Sequence, residues 1–320
     1  MRKQILGLAL LLGAGIALGT GTVALAAEKK EELTLAVIRT EEMSTLAKRW
    51  EVAIEYLSKT ANVDINFYTT TSYASVVEAM LSGFVDVASL GPKIYIVAHE
   101  KSGGAIVPLV SYTIPADMFN DKPCGCYFGA LVTKTGRGMK TLESTKGKVL
   151  ALVDPGSTSG NALPRALFAE KIGGKELESY WGRVFYSGSH TASARAVQAG
   201  KADAAFLSLG TLRRVIISGE MKKEDFNYLW ISPQIPIDVI SVDKKRMKPE
   251  MIKRLRDAFT GMTKTKEGQA VMAATGWAEF HAAEDSRFDP LRKILALKAK
   301  LKKKKKIRSG RNSSINLLIG

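Results

Sequence analysis

Cysteine is nearly absent from the 320-residue chain and histidine is scarce, with two of the first and three of the second. So few cysteines exclude a disulfide-built scaffold. A metal centre is not expected either: Cys124 and Cys126 sit together in Pro-Cys-Gly-Cys, while His99, His190 and His281 are scattered. No Gly-Lys-Ser/Thr ending of a nucleotide-binding loop occurs, and no Gly-x-Ser-x-Gly nucleophile turn. With no glycosidase-like carboxylate pair either, an enzyme is not expected, nor a cofactor.

Acidic residues are missing from both ends. Arg2 and Lys3 open the chain, and residues 298–311 hold nine basic side chains and no acid. With these set aside, 36 basic residues face 31 acidic ones. The net charge of +16 therefore belongs to the termini and gives no reason to expect a specific nucleic-acid partner. The segment 298–320 reads as a basic, disordered tail.

What is there begins with an address. Ile5 to Leu18 is apolar but broken by Gly7, Gly13 and Gly15, and Ala24-Leu25-Ala26 fits the small-x-small cleavage rule. The run approaches the roughly 20 residues of a spanning helix, yet its glycines and alanine site favour cleavage. Residues 1–26 are read as an export signal. In an oxidising compartment Cys124 and Cys126 either close a tight disulfide or remain two thiols in a turn. So small a ring closes almost no loop and adds little stability.

The mature chain alternates strand and helix. Leu33 to Ile38, Val63 to Phe67 and Val85 to Leu90 read as strands; Leu46, Trp50, Ala53, Ile54 and Leu57 recur at helical spacing, and Ser75 to Leu81 forms a second helix. Thr145 to Trp230 repeats the rhythm, with strands near Val149–Val153, Val184–Tyr186 and Ala204–Leu207. Helices dominate after Pro249. A largely parallel sheet covered on both faces is expected, hence an α/β fold. An internal repeat lies beneath this rhythm. Tyr73-x5-Ala79-Met80-x2-Gly83-x2-Asp86-Val87-Ala88-x-Leu90 matches His190-x5-Ala196-Val197-x2-Gly200-x2-Asp203-Ala204-Ala205-x-Leu207, every pair 117 residues apart. Two similar α/β lobes follow, with Tyr73 and His190 in matching places before their helices, where open α/β sheets bind ligands.

Asp154-Pro155-Gly156-Ser157-Thr158-Ser159-Gly160-Asn161 follows one strand and precedes a helical stretch, Ala162 to Ile172. A small-residue loop there converges free backbone N–H groups and three hydroxyls on one point, suited to an oxyanion. The same residues also suit ordinary helix capping.

These residues resemble a known family. Gly147-Lys148-Val149, Asp154, Ser157-Thr158-Ser159-Gly160 and Pro164 are similar to the second-lobe signature of phosphonate-type periplasmic binding proteins. Ser72-Tyr73, Glu78-Ala79-Met80, Gly83, Asp86 and Leu90-Gly91-Pro92-x-x-Tyr95 resemble its first-lobe signature. Gly188-x-His190, Ala202-Asp203-Ala204 and Ser232-Pro233-x-x-Pro236-x-Asp238 continue the likeness. Such proteins capture phosphonates, or reduced oxyanions such as phosphite and hypophosphite, for ABC importers.

The resemblance implies a two-lobed Venus-flytrap (type II) fold with two hinge strands, Cys126 to Thr133 and Ile237 to Val242. Lobe 1 would comprise 27–127 plus 237–297, and lobe 2 would comprise 128–236. Tyr73 and Tyr95 would reach the ligand from the first lobe, Ser157, Thr158, Ser159 and His190 from the second, and Asp238 from the return crossover. No lysine or arginine is among them, so neutral donors are expected to hold the anion. The partners implied are a small phosphorus oxyanion or phosphonate and a membrane permease, with the protein a periplasmic monomer. A sensory module feeding a chemoreceptor or sensor kinase is the alternative. Two departures stand out. Arg39-Thr40-Glu41 replaces a proline-containing loop, and Leu207-Ser208-Leu209 lacks the carboxylate that aminoalkylphosphonate binders keep for the amine.

Overall fold

The computed structural model describes residues 30–297; the expected leader, 1–26, and the expected tail, 298–320, lie outside the described residues. In chain order the strands are β1 (Glu31–Val37), β2 (Val63–Thr69), β3 (Val87–Leu90), β4 (Ile106–Thr113), β5 (Cys126–Tyr127), β6 (Gly129–Lys134), β7 (Val149–Leu152), β8 (Arg183–Tyr186), β9 (Ala204–Ser208), β10 (Phe226–Ile231), β11 (Ile235–Pro236), β12 (Val239–Asp243) and β13 (Glu279–Ala282). They form a six-stranded sheet, β13-β4-β12-β3-β1-β2, and a five-stranded sheet, β10-β6-β9-β7-β8. Between the sheets β5 and β11 pair antiparallel, Tyr127 against Ile235 and Cys126 against Pro236.

The repeat seen in the sequence is a repeat of structure. β1 lies between β2 and β3, parallel to both, as β7 lies between β8 and β9. An antiparallel strand contributed from the far side of the hinge follows in each case, β12 beside β3 and β6 beside β9. Ser72 and Ser189 cap the repeated helices, accepting from the amides of Ser75 and Ala192. Gly83 and Gly200 follow those helices with φ of +82° and +70°, a conformation that side chains resist. Asp86 and Asp203 then make one and the same bond. Each carboxylate accepts the backbone N–H of the neighbouring strand, Thr34 at 2.7 Å and Val149 at 2.9 Å, and each aspartate amide donates back to that residue's carbonyl.

Helices cover both faces of each sheet. The helix Met43–Ala61 buries Leu46, Trp50, Ala53, Leu57 and Ala61, a single stripe, against β1 and the helices Pro249–Thr260 and Lys266–Thr275. The opposite face is covered by Tyr73–Ser82, Pro92–Lys101 and the helix 289–297. The second sheet packs His190–Gln198 and Leu209–Ile217 on one side and Phe168, Ile172, Leu177 and Trp181 on the other. Val153 and Leu163 join the core of the first sheet, so the two lobes touch. Cys124 and Cys126 are bonded to each other at the start of the crossing.

The segment expected as a helix from Ala162 starts earlier and is wound more widely. Thr158–Ala162 and Pro164–Phe168 are π-helical turns, and the Ala162 amide reaches back five residues to the Ser157 carbonyl. Pro164 offers no N–H to a tighter ladder, and wide turns of this kind cluster at functional sites.

Candidate functional site

Beyond β7 the chain folds back on itself. Asp154 Oδ1 accepts the Gly156 amide at 2.6 Å, and Ser157 Oγ accepts the Gly160 amide at 3.1 Å. The other lobe closes on this loop: Lys93 N donates to Thr158 Oγ1 at 3.0 Å, Tyr73 N to Asp154 Oδ2 at 3.4 Å, and the Lys93 ammonium to the Pro155 carbonyl. Across the cleft His190 N donates to the Thr40 carbonyl at 3.0 Å.

A cavity of about 80 Å³ lies between the lobes. At roughly 10–15 Å³ per water this is room for about six waters, the scale of a small oxyanion. Tyr73, Ser157, Thr158, His190 and Asp238 all line it. Tyr127, from the hinge strand β5, adds a second phenol.

These groups divide into donors and one acceptor. Burial pushes the Tyr73 phenol up, helped by the negative charges of Asp238 and Asp154, so it stays protonated; its buried hydroxyl has no partner in the protein. Burial raises Tyr127 likewise. His190 Nδ1 accepts the Ser208 amide at 3.0 Å, which leaves the proton on Nε2. Burial, then the nearby Arg214 charge, lowers this imidazole to about 3, so it is a neutral donor. Asp238 is the opposite case. Burial raises its carboxyl to about 6, although Arg214 and Arg49 pull the other way.

Two expected residues do not reach the cavity. Tyr95 lies one turn inside the helix that Gly91 and Pro92 open, and its side chain runs into the core instead. Its ring packs on Phe288 at 4.6 Å, and its hydroxyl donates to Asp285 Oδ1 at 2.7 Å. Ser159 packs against the hinge: a Cβ on Gly129 would lie 2.9 Å from its own. Its buried hydroxyl has no hydrogen-bond partner in the protein.

The expectation that no cationic side chain lines the site is also corrected. Arg49, Arg213 and Arg214 all do. Glu41 holds two of them: Arg49 Nε and Nη2 donate to Oε1 at 2.8 and 2.6 Å, and Arg214 Nε lies 3.5 Å from Oε2. Burial would raise the Glu41 carboxyl, but Arg214 and Arg49 outweigh it and leave the group below its ordinary value. Arg213 pairs with Asp117 at 3.1 Å. The sequence carried one signal for this cluster: Arg49 sits three residues after Leu46, on the buried stripe of its helix. Trp50, Tyr112 and Trp277 wall the same end, with Trp50 edge-on to Trp277 at 5.2 Å. Among the described residues no group of histidine, cysteine and carboxylate side chains could hold a metal ion.

Residues 35–288 match the family described as ABC transporter, phosphonate, periplasmic substrate-binding protein. The chain belongs to this family. It is a phosphonate-type periplasmic substrate-binding protein of an ABC importer, and a binding component rather than an enzyme. The phosphonates-binding periplasmic protein of Escherichia coli K12 is 27% identical over 279 residues, covering 85% of this chain and 78% of the relative. The phosphate-import protein PhnD of Mycolicibacterium smegmatis is 30% identical over 237 residues, covering 72% and 71%. Among solved structures, a binding protein component of a Pseudomonas aeruginosa ABC phosphonate transporter superposes with a TM-score of 0.75 at 21% identity, covering 85% of this chain and 87% of that one. PhnD1 of Prochlorococcus marinus, in complex with methylphosphonate, gives 0.72 at 17%, covering 82% and 97%. These structures share the two-lobed type II periplasmic-binding-protein fold of this chain.

Proposed function

We propose that the protein captures a small phosphonate or reduced phosphorus oxyanion, of the methylphosphonate, phosphite and hypophosphite class, as its monoanion. After export by the leader at 1–26, it would act as a periplasmic monomer and hand the ligand to the membrane permease of the importer.

The observation that carries this reading is a half-buried carboxylate, Asp238, in a cavity otherwise rich in neutral O–H and N–H donors. Tyr73, Tyr127, Ser157, Thr158 and the His190 Nε2–H would donate to the bare oxygens. Asp238 would accept from the protonated oxygen of a phosphonate or phosphite monoanion and oppose a fully deprotonated dianion, a discrimination by repulsion. The apolar side chains of Val37, Ile38, Ile114 and Ile237 line the same cavity and would take a methyl group or a P–H hydrogen, for which a fourth oxygen is a poor substitute. The Escherichia coli relative is named for phosphonates and the Prochlorococcus neighbour holds methylphosphonate, whereas the Mycolicibacterium relative imports phosphate.

Thermal unfolding in the presence of methylphosphonate, phosphite, hypophosphite, aminoethylphosphonate, phosphate and sulfate tests the proposal. A ligand at a hundred times its Kd adds about 2.7 kcal/mol to the stability of the folded state. Methylphosphonate, phosphite or hypophosphite should raise the melting temperature, and sulfate, a dianion that Asp238 repels, should not. A flat response to all six would overturn it.

A further inference from the structure

The arginine end of the cavity is left unexplained by an oxyanion held at Ser157 and Asp238. Arg49, Arg213, Arg214, Thr275 and Gly276 line both the cavity and an outer groove of about 670 Å³, so they stand at the border between the two. Three guanidinium groups here are paired with two carboxylates, Glu41 and Asp117; the third carboxyl of the cavity, Asp238, feels Arg214 and Arg49 but is the group assigned above to the phosphonate. Both oxygens of Glu41 are turned to guanidinium groups. Three N–H groups at this end lack a hydrogen-bond partner: Nε of Arg213 and of Arg214, each held only by ion pairing to Asp117 and Glu41, and the indole Nε1 of Trp50, a residue 2% exposed, which has no acceptor at all. The Trp277 ring lies against Tyr112 at 5.7 Å. Unpaired buried donors are costly, and they are satisfied by an acceptor.

Building on the phosphonate reading above, we infer that this end is a second subsite, and that the substrates include short phosphonates whose substituent ends in a carboxylate. The phosphonate would sit between the Ser157 loop and Asp238, and the acid arm would run along the Trp50 and Trp277 rings to Trp50 Nε1 and Arg214. An ammonium in its place would meet three guanidinium groups, with Glu41 and Asp117 already paired and Asp238 engaged by the phosphonate. Ser208, which also lines the cavity, supplies none.

Calorimetry on the folded protein with methylphosphonate, ethylphosphonate, phosphonoacetate and aminoethylphosphonate distinguishes the possibilities. Phosphonoacetate should bind about 10–100-fold more tightly than ethylphosphonate, as expected for a charge-assisted hydrogen bond, and aminoethylphosphonate more weakly than ethylphosphonate. In Trp50→Phe, which keeps an aromatic wall but loses the N–H, the phosphonoacetate-to-ethylphosphonate preference should shrink at least threefold; Arg214→Gln provides a second, independent removal. Phosphonoacetate binding no better than ethylphosphonate, or aminoethylphosphonate binding as well as phosphonoacetate, would overturn the subsite and leave the phosphonate reading standing. A preference unmoved in both variants would do the same. If none of the four binds, the subsite falls together with the phosphonate part of the proposed function, and a response to phosphite or hypophosphite would be all that remains of it.

Discussion

Burial acts on His190 and Asp238 in opposite directions within one cavity: the imidazole is held neutral down to about 3, and the carboxyl is held protonated up to about 6. Between pH 4 and 6 the unfolded chain would protonate the histidine and ionise the aspartate, whereas the folded chain keeps both uncharged. The raised value of Asp238 contributes stability that is present below its ordinary 3.8 and lost as pH rises through about 6. The lowered value of His190 contributes stability that is present above 6.5 and lost as pH falls toward about 3. One proton gained and one released on folding cancel in this window.

Single substitutions should therefore uncover slopes of opposite sign. Relative to the unsubstituted protein, Asp238→Asn should gain stability with rising pH between 4 and 6, by about 1.4 kcal/mol per pH unit for one proton. His190→Gln should lose stability with rising pH at the same rate. Urea denaturation at three pH values across the window measures both, and equal slopes in the two variants would contradict the opposed shifts.

Asp238→Asn should also change which form of the ligand binds. An amide cannot replace the charge-assisted bond to a protonated oxygen, so a monoanion should lose about 1.5–3 kcal/mol. A dianion should lose less, because the repulsion is gone. Ser157→Ala should weaken both forms by about 0.5–1.5 kcal/mol, the value of a neutral hydrogen bond. Calorimetry on either side of the ligand's second pKa separates the patterns.

Gly156→Ala addresses closure without removing a ligand-binding group. A Cβ there would lie 2.8 Å from Tyr73 Cβ and 3.0 Å from Ile94 Cδ1, both on the opposite lobe, and 3.0 Å from Asp154 Oδ1 in its own loop. The crowding falls chiefly across the cleft, and overpacking of this kind costs about 1–3 kcal/mol. Ligand affinity should fall at least fivefold while the ligand-free melting temperature moves by only a few degrees. Small-angle scattering should show the liganded variant remaining more open than the parent.

Tyr95→Phe should behave in the reverse manner. It removes the hydroxyl that donates to Asp285, 2.7 Å away, but leaves the ring on Phe288. Stability should drop by about 1 kcal/mol with ligand affinity unchanged. A loss of affinity without a loss of stability would return Tyr95 to the ligand.

The fold was legible because its signals are local. Alternating apolar runs gave the strands, and the spacing of Gly83 and Asp86 against Gly200 and Asp203 exposed the duplication. Tyr73, Ser157, Thr158, His190 and Asp238 were legible as lining residues because each flanks a strand end or a helix start, where backbone geometry decides the direction of a side chain. Tyr95 was not, since a residue one turn inside a helix is aimed by that helix's rotation. The arginines escaped for a different reason. Arg49, Arg213 and Arg214 come together through Glu41 and Asp117 only after the lobes meet, and a charge between apolar neighbours reads as an exposed flank. Nor does apolar periodicity distinguish a four-residue ladder from the five-residue turns at Thr158–Ala162.

The contact between Trp50 and Trp277 gives the protein its own optical gauge. Two of its four tryptophans stand edge to face in the wall of the cavity, while Trp181 and Trp230 lie with the second sheet, away from it. A solute entering the cavity changes the polarity around the first pair and leaves the second as an internal reference. Emission from the unlabelled protein therefore follows occupancy directly, and a stopped-flow trace can time lobe closure without a dye, a tag or a coupled assay.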